Sequence, residues 1–200
     1  MAFEPDGRPR SGARKPPRAV TPAYLRRAAL AYLERHASSE ENLRRVIRRK
    51  IEKRCRLRGE EPAPFYPLID DVVERCTRAG LLDDTRYAEA RVATLRRRGG
   101  SARAIGARLS AKGVGRETIA AALGGGDRDR EADEEAAAHA FARRRKLGPY
   151  RPGEREPFRE KDLASLARAG FPFAVVRRVV DGNPLDDATR EVAGETAPLL

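Results

Sequence analysis

Few side chains in this sequence are of the kinds that make or break bonds, and their spacing speaks against a reaction centre. The two histidines, His36 and His139, lie far apart along the chain. General acid-base chemistry needs two such groups within hydrogen-bond reach of a reacting atom, and neither histidine is set beside a nucleophile in a recognisable arrangement. Both read as solvated helix residues, because a lone histidine on a polar helix is seldom a ligand. Cys55 and Cys76 are too few and too distant for a disulfide framework, and no Cys/His cluster has the spacing of a zinc site. They read as small buried apolar residues or, in the case of Cys55, as a partly exposed thiol. The adjacent carboxylates Asp83 and Asp84 have the look of an acid/base pair or a metal site, yet a helix start explains them through capping and the dipole. Gly124-Gly125-Gly126 lacks the lysine and hydroxyl of a phosphate-binding loop and reads as a hinge. The sequence therefore predicts no catalytic residue, no metal, no cofactor and no enzyme.

The chemistry it does offer is electrostatic. A formal charge of +12 and a pI near 10.4 will draw polyanions or acidic protein faces toward the surface. The charge is segregated: Arg86 to Arg116 holds nine basic residues against one acid, whereas Asp127 to Glu135 is net acidic. Arg96, Arg97 and Arg98 close one helix, where cations also suit the dipole. Arg103, Arg108 and Lys112 fall on the exposed side of the next helix and have no such structural cause, and Arg44 and Arg48 line the outer face of an earlier one. Arg44, Arg48, Arg97, Arg98, Arg103, Arg108 and Lys112 are thus expected to form a continuous cationic track for backbone phosphate or acidic loops.

The elements that must carry these residues are helical. Ala, Arg, Leu and Glu recur, aromatics are only 6% and tryptophan is absent, so an all-α fold is the default. Residues 1–20, rich in proline and basic residues, are expected to be a disordered arm. Thr21-Pro22 starts a helix with an apolar stripe through Leu25, Ala29 and Leu33. Ser38 and Glu41 suggest a capping box ahead of Leu43, Ile47 and Ile51, followed by a basic, proline-rich loop at 54–67. A third helix, from Leu68, should stop at Gly80 in the left-handed conformation. The second unit, 82–126, opens at Leu82-Asp83-Asp84, where either aspartate can cap, and carries Tyr87, Ala88, Val92 and Leu95 inward. Ser101 caps its next helix, Gly113 ends it, and a short helix follows from Arg116 to Leu123. The third unit, 127–182, repeats the plan after an acidic start, and 183–200 form a tail.

Alignment on glycine exposes a repeat. Ile105, Leu109, Gly113, Val114, Ile119 and Leu123 are answered by Leu163, Leu166, Gly170, Phe171, Val176 and Val180, with one slip at the first position. A three-helix unit with one short apolar stripe per helix cannot bury it alone, so such units should stack into an extended array. A rival reading is a stand-alone helix-turn-helix DNA-binding protein, since Ile105 to Leu123 has two helices joined by a glycine turn. Its candidate recognition helix, however, offers only Arg116 and Thr118 to base edges.

Around Gly80-Leu-Leu-Asp83-Asp84-Thr-Arg-Tyr87-Ala88 and Ile105-Gly-Ala-Arg-Leu109-Ser-Ala-Lys-Gly113-Val114 the chain resembles the RecX family of small basic regulators. The likeness spans about Thr21 to Gly182, and the middle unit is its most specific part. The resemblance implies an elongated, curved array of three tandem three-helix repeats. It also implies a partner, the RecA filament on single- or double-stranded DNA, bound along its groove. Filament growth, ATP hydrolysis, strand exchange and co-protease activity in DNA repair and the SOS response would thereby be limited. The absence of an apolar leader or a run of about 20 apolar residues adds the expectation of a cytoplasmic protein without membrane contact.

Overall fold

The computed structural model describes residues 17–124 and 127–184. Nine α-helices occur among them and no β-strand. The first, α1 (Pro22–Leu33), starts where Thr21 accepts a hydrogen bond from the Tyr24 amide, at 3.1 Å. Ahead of it Val20 is already buried in the first core, and the Pro17 carbonyl accepts from Arg58. Packing therefore begins inside the expected arm, because Val20 gives it an apolar anchor. Residues 1–16 of that arm, Gly125 and Gly126 of the expected hinge, and 185–200 of the expected tail lie outside the described residues.

Helix α2 (Glu40–Arg58) differs from expectation at both ends. Its cap is Ser39, which accepts from the Asn42 amide, and not Ser38. The expected capping box is undone by competition: the Asn42 side chain takes Ser38 at 2.8 Å, while Arg45 takes Glu41 at 3.0 Å. At the other end, residues 54–58 of the expected loop are helical. Ile51 and Cys55, four apart, extend the buried stripe, and the chain turns only at Gly59, with φ +67°. The remaining helix of this unit, α3 (Pro67–Arg78), completes a core around Leu25, Leu43, Ile47, Ile51 and Val73. Each of these large side chains contributes about 1.5–3 kcal/mol by leaving water.

The second unit comprises α4 (Asp84–Arg97), α5 (Ala102–Ala111) and α6 (Arg116–Ala122), around Ala88, Val92, Leu95, Ile105, Leu109, Val114 and Ile119. The third comprises α7 (Asp127–Arg145), α8 (Arg159–Arg168) and α9 (Phe173–Asp181), around Leu163, Leu166, Phe171, Val176 and Val180. The aligned residues of the two units thus occupy matching core positions. His139 is not solvated: the small residues Ala137, Ala138 and Ala142 let α7 sink into this core, carrying the imidazole against the Tyr150 hydroxyl at 2.9 Å. Burial lowers its pKa. His36 is exposed, as expected, but lies past the end of α1. Cys55 and Cys76 are both buried free thiols. The Pro/Gly loop before α8 is fixed by buried Asp162, which accepts from the Gly148 amide and from Arg151.

One joint is used twice to connect the units. The hydroxyl of Ser39, the cap of α2, donates to the Lys112 carbonyl at the end of α5 (2.5 Å). The hydroxyl of Ser101, the cap of α5, donates to the Ala169 carbonyl at the end of α8 (2.7 Å). In both joints the next unit also sends a carboxylate to the first amide of the capped helix: Asp84 takes Glu40 N–H, and Glu134 takes Ala102 N–H. The left-handed glycine after each docked carbonyl has no room for a side chain. A Cβ on Gly113 (φ +79°) would stand 2.3 Å from Glu41 Cγ, and one on Gly170 (φ +93°) would stand 2.8 Å from the Ser101 hydroxyl. Among the described residues, neither end of the array repeats this geometry. Helix α2 runs past the position that would match the end of α5 and stops at Arg58, and α8 begins after Phe158 with no side-chain cap.

Candidate nucleic-acid interface

Arginine does two different jobs in this molecule, and the sorting is visible in its partners. Arg44 is engaged with Glu40 at 3.4 Å and Asp70 at 3.2 Å. Partial burial pulls its guanidinium down, but the two carboxylates outweigh this and hold it above its ordinary value. Arg45 is tied to Glu41 and donates to the Ala111 carbonyl across the first joint. Arg159 and Arg178 are paired to carboxylates within the third unit. Arg96 is the most enclosed: with 13% of its side chain exposed, it meets Glu134, 7% exposed, at 2.5 Å. These groups are held by structure.

A second set has no carboxylate partner among the described residues. Arg48 lies over the Tyr66 ring, 4.4 Å from its centre, beside Arg44 in a cleft between α2 and α3. Arg97 and Arg98 close α4 with exposed side chains, and the Arg98 carbonyl accepts from Arg144. On α5, Arg103, Arg108 and Lys112 are all exposed. They do not form one cluster. Five residues rotate a helix by about 140°, so Arg103 and Arg108 diverge. The stem of Arg103 faces Gly170 at the second joint, while Lys112 reaches toward Asn42 (3.4 Å) at the first. These cations are distributed from one joint to the other, along roughly 14 Å of helix.

The structural residues singled out in the sequence have distinct places. Gly80 turns the chain with φ +69°, and Asp83 caps α4 by accepting from the Arg86 amide. Asp84 does not share that task but crosses to α2, where burial raises its pKa against the lowering effect of the Glu40 amide. Tyr87 packs on the second core. Gly113 and Gly170 admit the joints described above.

Sequence reasoning missed Ser39, Arg96, Ser101 and Glu134 as partners across units. Alignment of the two cap serines would have revealed the first and third; nothing local marks the Arg96-Glu134 pair. Among the described residues there is no group of three or more His, Cys, Asp or Glu able to hold a metal. No helix among them is long and apolar enough to cross a membrane. What the arrangement offers is exposed guanidinium and ammonium groups that can donate hydrogen bonds to phosphate oxygens or carboxylates.

Residues 83–123 match the family model described as RecX, second three-helix domain. A regulatory protein RecX of Myxococcus xanthus is 40% identical over 182 residues, covering 90% of this chain and 96% of that relative. The chain belongs to the RecX family. A regulatory protein RecX of Agrobacterium fabrum is 36% identical, covering 79% of this chain and 82% of the relative. A crystal structure of regulatory protein RecX shares the fold, with a TM-score of 0.57 at 20% identity over 80% of this chain and 71% of the other. The all-helical architecture of tandem three-helix units is thereby that of a known RecX structure, and the role common to the named relatives is regulatory.

Proposed function

We propose that this RecX-family protein regulates a RecA-type recombinase by lying in the groove of its filament on single- or double-stranded DNA. It acts without catalysis, in the cytoplasm, and restrains recombination, ATP hydrolysis and co-protease activity in DNA repair and the SOS response. Occupying the groove obstructs a second duplex or a cleavable client, and favouring one subunit spacing alters nucleotide turnover in the partner. The observation that carries this reading is the division of the arginines. Arg96, Arg151, Arg159 and Arg178 are held by carboxylates, whereas Arg97, Arg103 and Arg108 are exposed and have no carboxylate partner among the described residues. Such groups can hold phosphate or an acidic protein face without reading sequence.

The test is ATP hydrolysis and strand exchange by the recombinase on single-stranded DNA, titrated with this protein and with a variant combining Arg103→Glu, Arg108→Glu and Lys112→Glu. The variant should need about tenfold more protein for the same inhibition while keeping its helicity. Equal inhibition by both proteins at moderate salt would reject this surface. Tight, salt-sensitive duplex binding with no effect on the recombinase would favour a stand-alone DNA-binding protein.

A further inference from the structure

The second joint holds a feature that the cationic residues alone do not use. Between α5 and α6 on one side and α7 and α9 on the other lies a groove of about 580 Å³. Ala102, Ala120, Leu123, Pro172, Ala174 and Val175 give it an apolar lining, to which Arg103 and Arg130 add positive charge. The two acids that also line it are already neutralised, Glu134 by Arg96 and Glu131 by Arg178. Arg103 has no carboxylate partner among the described residues, and Arg130 spends only its Nε, on the Gly124 carbonyl. An apolar trough with two unspent positive charges in its lining is not shaped for a phosphate backbone, which has nothing to bury in it. It suits a protein segment that inserts an apolar side chain and places a carboxylate next to it.

We propose that this groove seats an acidic, apolar-anchored segment on the surface of the recombinase subunit, while the cations of α5 facing away from it contact DNA. The inference rests on the recombinase reading above and adds to it a division of labour: protein recognition at the second joint, phosphate contact beside it. The cleft between α2 and α3 differs: Glu41, Arg44, Arg45 and Asp70 in its lining pair with one another or with Glu40, and Arg48, without a carboxylate partner among the described residues, lies over the Tyr66 ring. Seating a partner across α6 and α9 would engage two units at once, so the bound segment would sense their relative placement.

Ala120 and Ala174 are exposed residues of the groove wall, and enlarging them leaves the cores untouched. The experiment compares Ala120→Trp and Ala174→Trp with the parent protein in two titrations, against recombinase filaments on single-stranded DNA and against the same DNA without recombinase. Filament affinity should fall at least tenfold, while affinity for naked DNA should stay within twofold. A photo-crosslinking residue at position 120 should yield an adduct with the recombinase and none with DNA. Unchanged filament affinity in both tryptophan variants, or crosslinking to DNA alone, would overturn the proposal. So would a chain lacking residues 185–200 that binds filaments more tightly and crosslinks internally only when the segment is present, since the groove would then belong to the protein's own acidic end. If the parent protein has no effect on the recombinase at all, the functional reading fails first, which the ATPase titration reports independently. Should the tryptophan variants lose helicity, the crosslink, made at an exposed alanine, still decides.

Discussion

The two joints share a serine-to-carbonyl hydrogen bond, a carboxylate on the first helical amide and a left-handed glycine, and differ in the charges around them. At the first, the carboxylate comes from Asp84, at the very start of α4, and the accompanying contacts are reachable by solvent: Arg45 to the Ala111 carbonyl and Lys112 to Asn42. At the second, the carboxylate comes from Glu134, well inside α7, and it serves two donors at once, the Ala102 amide and the buried guanidinium of Arg96. The Arg96 Nε is buried without a partner, so this guanidinium depends on Glu134 for compensation. The lesson is that a repeated backbone solution fixes which helices meet, whereas the surrounding charges set how costly it is to part them. A buried pair adds little net stability by itself, but breaking it by removing one partner is expensive.

The largest effect should come from Glu134→Ala, which strands Arg96. Urea or thermal unfolding should show a loss of about 3–5 kcal/mol, and replacing both members with apolar residues should recover most of it. A loss no greater than that of an ordinary surface substitution would erase the distinction between the joints. Next comes Gly113→Ala. Both Gly113 and Gly80 have positive φ, but only Gly113 faces a neighbour, since a Cβ at Gly80 would meet nothing within 4 Å. Gly80→Ala should cost about 1–2 kcal/mol from backbone strain, and Gly113→Ala should exceed it by about 1 kcal/mol or more through displacement of Glu41. Equal losses would mean that the first joint yields freely. The smallest effect concerns Asp84. Its pKa is raised by burial in the folded state, so the cost of ionising it is felt at neutral pH and relieved as pH falls through that raised value toward 3.8. Thermal melts of Asp84→Asn should lack this acid-side gain relative to the parent protein, because the asparagine oxygen still accepts from Glu40 without any charge to bury.

Much of this was readable in the sequence because it is written in local signals. Thr21, Asp83 and Ser101 cap the helices they precede, Gly80, Gly113 and Gly170 take positive φ after the helices they end, and the glycine-aligned apolar positions fill equivalent cores. What was not readable depends on partners distant along the chain. Ser38 and Glu41 satisfy a motif on paper, yet Asn42 and Arg45 outbid the backbone for them. His139 looks polar among alanines and arginines, but its depth is set by what α8, α9 and Tyr150 bring against α7. Arg44 and Arg48 looked alike by spacing, although one meets Asp70 from α3 and the other an aromatic ring. For the cationic track, sequence showed charge and exposure but could not show that α5 turns Arg103 toward one neighbouring unit and Lys112 toward the other.

The unmatched ends of the array give the molecule a stop. A joint that repeats with the same hand and the same donor could in principle recruit further copies without limit, as open head-to-tail contacts do in fibres. Among the described residues, α2 continues well beyond the length of α5, and Phe158 ahead of α8 has no hydroxyl to make the bond that Ser39 and Ser101 make. The protein is in effect a ruler with blunt tips. Among the described residues the serine-to-carbonyl joint links three units and no more, so the interval it fixes is set within one chain.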